Sequence, residues 1–431
     1  MKNKIVFGLW LFLIAVSSTA VCQESFEKFF MDKTLRIDYF REGFHDFDTV
    51  LFHRLVANDG WAGSLTQLVD PFDNGNYRVV VKDSKTKKEL YSRGYNTLFH
   101  EYRDTPEGKV NRVKYEEVVL IPYPRVAVDI CFMKRDGSTL QMMQQAVMHF
   151  DPAVDNNKVS ESAVAVSPVK LKYSGDSHKK VDIVIVAEGY GVNDSLRMQS
   201  DLEKFCQYTL ACEPFKGRAS DFNVWGVPFL GASSGITNPG KNLKVESAVG
   251  ATYYTFGSER YIMTFELFKL HDLLAQVPYD HIIIMANSEK YGGGAIYNFY
   301  AVSSMHEMAN MILPHELGHS IGGLADEYVD EELSYNEIHR PDVEPVEPNI
   351  TNLVDFESKW LDLVPRRTEI PTPYDEKVPR TENGPIGVYE GAGYSAKEFY
   401  RPFMHCMMRD YAPFCLICSK RLNDIFDLYT K

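Results

Sequence analysis

The chain has 431 residues, of which 45% are hydrophobic and 24% are charged. These fractions are typical of a globular protein and exclude a disordered, collagen-like or low-complexity chain. Its 46 basic and 59 acidic residues give a formal charge of −13. We therefore expect no nucleic-acid partner, because sequence-independent binding of nucleic acid needs a cationic surface. At roughly 100–200 residues per domain, the length predicts two or three domains.

The N-terminus has the pattern of a secretory signal peptide. Lys2 and Lys4 precede an apolar run that is too short for a membrane span, and small residues follow as far as Ala20. Residues 1–22 are therefore predicted to be a signal peptide. Cys22 leaves a lipoprotein alternative, which the poor lipobox before it disfavours. No later stretch is long and apolar enough for a transmembrane helix. We expect an exported protein, located in the periplasm, at the cell surface or outside the cell.

Residues 26–150 have the pattern of an all-β sandwich. Runs rich in β-branched residues at 77–81 and 118–121 predict strands, and Asp83 and Asp136 begin plausible hairpin turns. Short strands without a long helical pattern are typical of a sandwich. No cluster of histidines, cysteines or carboxylates in this region resembles a catalytic site. We expect it to serve as a scaffold, to present substrate or to attach the protein to a surface.

A different organisation follows this region. Residues 151–167 are small, polar and proline-bearing, which predicts a linker. Residues 168–431 then alternate buried strands with helices, which predicts an α/β domain with a mixed or parallel sheet. The strands are predicted at 180–186, 222–229 and 281–285, and the helices at 195–212 and 261–274.

Chemistry is concentrated in the motif His315-Glu316-x-x-His319. Histidines four residues apart lie on one face of a helix, so both imidazoles can bind one metal ion. Glu316 lies beside the first histidine, where it can accept a proton from a water activated by zinc. The preceding residues suit a helix in which Ser304 is the N-cap and Glu307 completes a capping box.

Two histidines on an ordinary amphipathic helix are the alternative interpretation of this motif. The residues that follow favour a zinc site instead. Gly322 and Gly323 can end the helix and turn the chain sharply back. Asp326 and Glu327 come directly after this turn, and either carboxylate can return as a third metal ligand.

Two further stretches bear on the motif. A methionine-bearing turn beneath the zinc histidines is typical of metzincins, which predicts this role for Met407 or Met408. Without the zinc motif, the same methionines would be interpreted as core filling. The glycines at 292–294 suit either a strand edge to which a peptide adds or a plain flexible loop.

Six cysteines follow the signal peptide, and their even number permits disulfides in an oxidising compartment. Cys415-x-x-Cys418 has the spacing of a metal-binding pair. Because no second pair of this type occurs, a disulfide or buried thiols is the favoured interpretation.

As a set, these motifs resemble a known family. The run HELGHSIGGLADEY, with YGGGA before it and EGAGY and YRPFMHCMMRD after it, is similar to the IgA-peptidase family of secreted bacterial zinc metalloendopeptidases. The likeness spans residues 180–409, together with a β-rich N-terminal module. It implies a metzincin-like catalytic domain in which His315 and His319 bind zinc and Glu316 is the general base.

The chain departs from the common metzincin pattern at the third ligand. That pattern places the ligand ten residues after the first histidine, where this chain has Ala325, which cannot bind a metal. Asp326 and Glu327 are the nearest candidates, and we expect Asp326 in preference to Glu327. IgA cleavage itself is not implied, because no residue identifies the substrate.

The sequence therefore predicts an all-β sandwich followed by an α/β metzincin-like zinc peptidase domain with a mixed sheet and an active-site helix. We expect a secreted endopeptidase with one catalytic Zn²⁺ and a protein or peptide substrate, a host glycoprotein among the candidates. Tyr394 or Tyr400 would stabilise the oxyanion. One alternative is a zinc hydrolase acting on a glycopeptide or another non-protein amide. Another is a surface binding protein whose structural zinc is closed by His405 or Cys406.

Overall fold

A computed structural model of the chain describes residues 26–161, 166–330 and 339–431. The predicted signal peptide, with Cys22, lies outside these residues. The strands are β1 (Phe30–Phe44), β2 (Phe47–Asp59), β3 (Tyr77–Asp83), β4 (Glu89–Tyr95), β5 (Val113–Pro124), β6 (Val128–Arg135), β7 (Met142–Phe150), β8 (Val159–Glu161), β9 (Val169–Lys172), β10 (Val181–Glu188), β11 (Phe222–Val227), β12 (His281–Ala286), β13 (Gly293–Ile296), β14 (Tyr300–Ser304), β15 (Tyr389–Ala392) and β16 (Ser395–Arg401). The helices are α1 (Leu98–Asp104), α2 (Pro152–Asp155), α3 (Ser195–Thr209), α4 (Leu267–Leu273), α5 (Ala309–Ser320), α6 (Met407–Asp410) and α7 (Leu416–Thr430). None of the helices in these three ranges is long and apolar enough to cross a membrane.

The N-terminal region contains two four-stranded sheets, with strand orders β5-β1-β2-β8 and β4-β3-β6-β7. Alternate side chains point inward from both sheets and form one apolar core, which includes Ile37, Val79 and Phe132. The hairpin turns predicted at Asp83 and Asp136 are confirmed. In each turn the aspartate carboxylate accepts hydrogen bonds from the backbone N–H groups two and three residues further on. The predicted β-rich N-terminal region is therefore confirmed.

The second region is built on a six-stranded mixed sheet with the order β13-β14-β12-β10-β11-β9. Strands β10, β11, β12 and β14 are parallel, whereas β9 and β13 are antiparallel strands at the two edges. Every residue of β10 and β12 is buried, because both faces of the sheet are covered. Helices α3, α5 and α7 contribute to the core on one face and α4 to the core on the other. The predicted mixed sheet with helices is confirmed.

Three local expectations differ from the structure. The helix expected at 261–274 is confined to α4, because residues 262 and 263 instead bond through their backbones to Gly293 and Thr252. Ser304 is not an N-cap: it ends β14, and α5 begins after Met308. The segment expected to be a linker contains α2 and β8, and β8 pairs with β2 and extends the first sheet.

The two regions are joined by specific polar contacts. The Asn96 N–H donates to the Tyr297 carbonyl at 3.0 Å, and the Asn298 side chain donates to the Gly94 carbonyl at 2.7 Å. The buried Arg36 guanidinium of β1 lies 2.6 Å from an Asp272 carboxylate oxygen near the end of α4. These contacts hold the sandwich against the mixed sheet beside α5.

Candidate metal centre and active site

Helix α5 carries both histidines of the motif and presents them on one face. The rings of His315 and His319 lie 4.8 Å apart between centroids. The helix ends as its glycines predicted: Gly323 has φ +59°, and the Leu324 N–H donates back to the Gly318 carbonyl at 3.2 Å. This left-handed turn is easily adopted by glycine. It reverses the chain and returns the residues that follow towards the histidines.

The turn brings Asp326 to the two imidazoles. The Nε2 atoms of His315 and His319 lie 3.1 Å apart. Asp326 Oδ1 lies 3.1 Å from His315 Nε2 and 3.3 Å from His319 Nε2. Tetrahedral zinc with bonds of about 2.0–2.1 Å places neighbouring ligand atoms about 3.3 Å apart. The three side chains therefore have the spacing and the donor chemistry of a zinc-binding group.

The outer nitrogen of each imidazole is held by a backbone carbonyl. His315 Nδ1 lies 2.9 Å from the Met407 carbonyl oxygen, and His319 Nδ1 lies 2.6 Å from that of Leu324. Because a carbonyl only accepts hydrogen bonds, each Nδ1 carries the proton. In the neutral ring this leaves the Nε2 lone pair directed into the group, which is the tautomer that a metal-binding histidine needs.

The charges in this group are strongly coupled. Burial would lower the pKa of His319, but the Asp326 carboxylate beside it raises that pKa to about 9. Burial would raise the pKa of Asp326, yet the adjacent His319 and the hydrogen bonds from both imidazoles hold it well below its usual range. Without metal the imidazoles therefore bind protons tightly, and a metal ion must displace these protons as it binds.

Glu316 lies next to the group and lines the same cavity. Burial raises the pKa of this carboxyl, although the neighbouring His315 acts in the opposite direction. Strand β13 passes close by: a β-carbon on Gly293 would lie 2.6 Å from Glu316 Oε1. Glycine at 293 therefore leaves room for the carboxylate between β13 and α5.

Asp326 and Glu327 are adjacent in sequence but point to different places. Asp326 faces the histidines, and its Oδ2 accepts a hydrogen bond from the Tyr394 hydroxyl. Glu327 Oε1 accepts from the Asn349 amide at 2.9 Å and lies 3.3 Å from Cys418 Sγ. The geometry thus brings Asp326, and not Glu327, to the histidine pair.

The other residues singled out by the sequence are distributed around the site. The Met407 carbonyl holds His315, and the Met408 side chain lies against Gly318 beneath α5. Tyr394 lines the cavity, whereas Tyr400 belongs to β16, where its backbone pairs with Thr351. The glycines at 292–294 lead into the edge strand β13 and not into a flexible loop, but the strand edge at Gly293 is not open to an added peptide. The outer N–H and carbonyl of Gly293 are already bonded to Arg260 and Ile262.

His405 and Cys406, the residues expected to complete a structural zinc site, are not part of the histidine group. His405 Nδ1 is 2.6 Å from an Asp410 carboxylate oxygen. Cys406 belongs to a second group, with Glu327, Cys415 and Cys418, that is separate from the histidines. The six cysteines of the described residues are all free thiols, which agrees with the buried-thiol part of the expectation for Cys415 and Cys418.

A cavity of about 1290 Å³ opens over the histidines and Glu316. The sandwich contributes one wall of this cavity, including Glu101 of α1, Asn74 and Lys134, and the α/β region contributes the other. Glu101 accepts a hydrogen bond from the Tyr261 hydroxyl at 2.6 Å, and burial raises the pKa of Glu101 to about 7.

Several cavity residues were not found by sequence reasoning. Glu101 lies in the region that we expected to serve as a scaffold, to present substrate or to attach the protein to a surface, and its position next to the motif depends on contacts between the two regions. Tyr411 follows the methionine turn and has φ +61°. Its hydroxyl lies 2.5 Å from that of Tyr291, and its ring lies 5.7 Å from that of His315 between centroids. Its position directly after the Met407–Asp410 segment was the signal that could have identified it.

Two family sequence models match the chain. One, described as IgA Peptidase M64, matches residues 169–384 and 379–426. The other, described as Peptidase M64 N-terminus, matches residues 25–145. No curated protein matches the chain. The first match contains the motif on α5 and the methionine turn, and the second covers most of the sandwich.

Proposed function

The chain belongs to the IgA peptidase M64 family, as its motifs suggested, and from this premise we propose that it is an exported zinc-dependent endopeptidase acting on proteins or peptides. In this proposal His315, His319 and Asp326 bind the one catalytic zinc ion. Glu316 is the general base, and Met407 and Met408 form the turn beneath the site. The metzincin-like character of the domain and the division into residues 26–150 and 168–431 belong to the same proposal.

The observation that carries the proposal is the triangle of Nε2, Nε2 and carboxylate oxygen beside Glu316, at the floor of the cavity. Three protein ligands with an open fourth position are typical of catalytic zinc, whereas structural zinc has four protein ligands. Among the described residues, this group contains three metal-binding side chains. The cavity is large enough to admit an extended peptide.

The residues of the chain have defined tasks in this reaction. Zinc, when bound, polarises the scissile carbonyl and lowers the pKa of the attacking water. Glu316 accepts the proton of that water and then delivers it to the leaving amine. Its raised pKa suits both steps, since a carboxylate that is too acidic holds a proton poorly. The carbonyls of Met407 and Leu324 keep both imidazoles in the tautomer that binds metal.

An oxyanion that forms in the cavity needs a hydrogen-bond donor. Tyr394 already donates to Asp326, and Tyr400 is absent from the residues that line the cavity. Tyr411 lines the cavity, and its hydroxyl is hydrogen-bonded to that of Tyr291. We therefore assign the oxyanion donor to Tyr411, and Tyr394 then orients the third ligand.

Two other functions make different predictions. A zinc hydrolase of glycopeptides or other non-protein amides would use the same residues but would cleave no unmodified protein. A surface binding protein would hold zinc without turnover. The open cavity and the family favour a peptidase over both. A host glycoprotein remains one candidate substrate.

The proposal is tested with Glu316→Gln, which keeps the size of the side chain but removes the base. Proteolysis of casein and of a peptide library should fall on the order of 10²–10⁴-fold, while bound zinc is retained. Glu307→Gln, at an exposed position just before α5, is the matched control and should keep full activity. Chelation should abolish wild-type activity, and added zinc should restore it.

Either of two results would overturn this proposal. Full proteolysis by the Glu316→Gln variant would show that this glutamate is not the general base. Proteolysis that survives complete removal of metal would show that the reaction does not need zinc. Cleavage confined to glycopeptides would instead establish the non-protein amide alternative.

A further inference from the structure

A second group of metal-binding side chains lies on the other side of the segment that carries Asp326. It contains Glu327, Cys406, Cys415 and Cys418, whose ligand atoms all lie within 4.8 Å of one another. The four residues come from three separate parts of the chain. Glu327 follows the turn after α5, Cys406 precedes α6, and the cysteine pair begins α7. We propose that these four side chains bind a structural zinc ion, distinct from the catalytic one.

The distances within this group match a tetrahedral zinc site and not a disulfide. Cys406 Sγ and Cys418 Sγ are 3.7 Å apart. Zinc–sulfur bonds of about 2.3 Å in tetrahedral geometry place two sulfurs about 3.8 Å apart, whereas a disulfide joins them at about 2.05 Å. Cys418 Sγ lies 3.3 Å from Glu327 Oε1, which is close to the sulfur–oxygen separation of about 3.6 Å in such a site.

Burial of the carboxylate separates this group from ordinary core packing. Each of the four residues is 0% exposed. Cysteine thiols are common core residues, but a glutamate is almost never fully buried unless it is paired or bound to a metal. Glu327 Oε1 accepts hydrogen bonds from the Asn349 amide and the Cys418 thiol, and Oε2 has no hydrogen-bond partner among the residues that the structure describes. A bound cation would satisfy these lone pairs, and apolar core packing would not.

The surroundings of the sulfurs also suit thiolates. The Cys415 N–H points to Cys406 Sγ at 3.4 Å, a contact that stabilises a metal-bound sulfur. Cys415 is the N-cap of the 15-residue helix α7, and Cys418 lies in its first turn. The positive end of the helix dipole stabilises negative charge at both positions. Thiolate ligands select zinc among the common divalent ions.

A zinc ion at this position would support the active site without entering the reaction. Glu327 is adjacent to Asp326, and its N–H donates to the Met408 carbonyl at 2.8 Å. Cys406 is adjacent to Met407, whose carbonyl holds His315. One ion would therefore fix the segment that carries the third catalytic ligand, the methionine turn and helix α7 relative to one another.

The experiment counts metal in the full-length protein, purified without chelators and dialysed. Wild-type protein should retain two zinc ions per chain, and His315→Ala/His319→Ala should retain one. Cobalt loaded into this double variant should give a thiolate-to-cobalt charge-transfer band in the near ultraviolet. Neither measurement needs a cysteine substitution, so both stand even if cysteine variants fail to fold.

Cysteine variants in the same double-histidine background then locate the ion. Cys418→Ser should lose the remaining zinc and the cobalt band. Cys131→Ser, at a buried thiol in β6 of the sandwich, is the matched control and should keep both. Thiol titration of the denatured protein should detect Cys406, Cys415 and Cys418 as free thiols once a chelator is added.

The outcomes distinguish this site from the proposed function. One zinc ion in wild-type protein and none in the double-histidine variant would overturn the structural site and leave the catalytic proposal intact. A disulfide between Cys406 and Cys418 would also overturn it. One zinc ion in both proteins would support the structural site and contradict the catalytic one.

Discussion

Asp326 and Glu327 are neighbours in sequence, but they belong to two groups of opposite character. The group of Asp326 lies at the floor of the cavity, and the side chains of His315 and His319 remain 10% and 18% exposed. The group of Glu327 is closed, with no exposed surface on any of its four side chains. An open set of three ligands can admit substrate and water, whereas a closed set of four can only hold the fold.

The two groups also differ in the types of ligand that they contain, and this difference agrees with the difference in their exposure. Imidazole and carboxylate ligands leave zinc acidic enough to polarise a carbonyl, and catalytic sites commonly use them. Sulfur ligands dominate structural sites, where the ion cross-links chain segments. One short segment, placed by the turn at Gly323, can therefore serve chemistry on one side and stability on the other.

Separate substitutions of Asp326 and Glu327 should have different effects, and these are the largest effects that we expect. Asp326→Ala removes a ligand from the open group and should abolish proteolysis. Its catalytic zinc affinity should fall by more than the roughly 10–100-fold that loss of a supporting residue costs. Glu327→Gln should leave the open group able to bind metal but weaken the closed one. Competition with a chromophoric chelator measures both affinities.

The two variants together decide which carboxylate is the catalytic ligand. The assignment would be reversed, with Glu327 as the catalytic ligand, if Glu327→Gln lost proteolysis and had a reduced melting temperature while Asp326→Ala bound metal normally. If both variants lost both ions, the two groups would be a single cooperative unit rather than two sites with separate tasks.

A smaller effect, on the free energy of unfolding, is expected from a substitution at Gly318. At this residue α5 packs on the methionine turn, which lies between the two groups. A β-carbon there would collide with the Met408 sulfur and lie 3.1 Å from Phe414 Cε1, and both neighbours are buried. Gly318→Ala should lower the free energy of unfolding by about 1–3 kcal/mol through overpacking. Denaturant unfolding of the variant measures this change.

The matched control is Gly137→Ala, because no heavy atom of the described part of the chain lies within 4 Å of a β-carbon at Gly137. Its stability should hardly change. In a helix, alanine is more favourable than glycine by about 1 kcal/mol. A Gly318→Ala variant that is more stable than wild type would therefore show that the Met408 side chain moves aside at little cost. The methionine turn would then not be a rigid link between the two groups.

The sequence predicted those features of the site that depend on local spacing. Histidines at 315 and 319 share a helix face whatever surrounds them. The glycines at 322 and 323 predicted the turn that brings Asp326 to the histidines. The β-rich N-terminal region and the buried strands were predictable for the same reason, since period-2 alternation and continuous apolar runs are local signals.

Features that depend on distant contacts were missed or misjudged. Glu101 reaches the cavity only because the sandwich docks beside α5. Cys406 joins Cys415 and Cys418 through the fold, so a search for a second cysteine pair could not find it. Ser304 has the composition of an N-cap, but pairing of β14 with β12 extends the strand through this residue, so tertiary structure overrides its local preference.

Anomalous diffraction at the zinc edge can establish whether His315, His319 and Asp326 bind catalytic zinc. We expect an anomalous peak between His315 Nε2, His319 Nε2 and the Asp326 carboxylate, with no fourth side chain bound to the ion. A map of metal-loaded crystals with no peak there would contradict this assignment. So would a peak from an ion that also binds a fourth protein ligand.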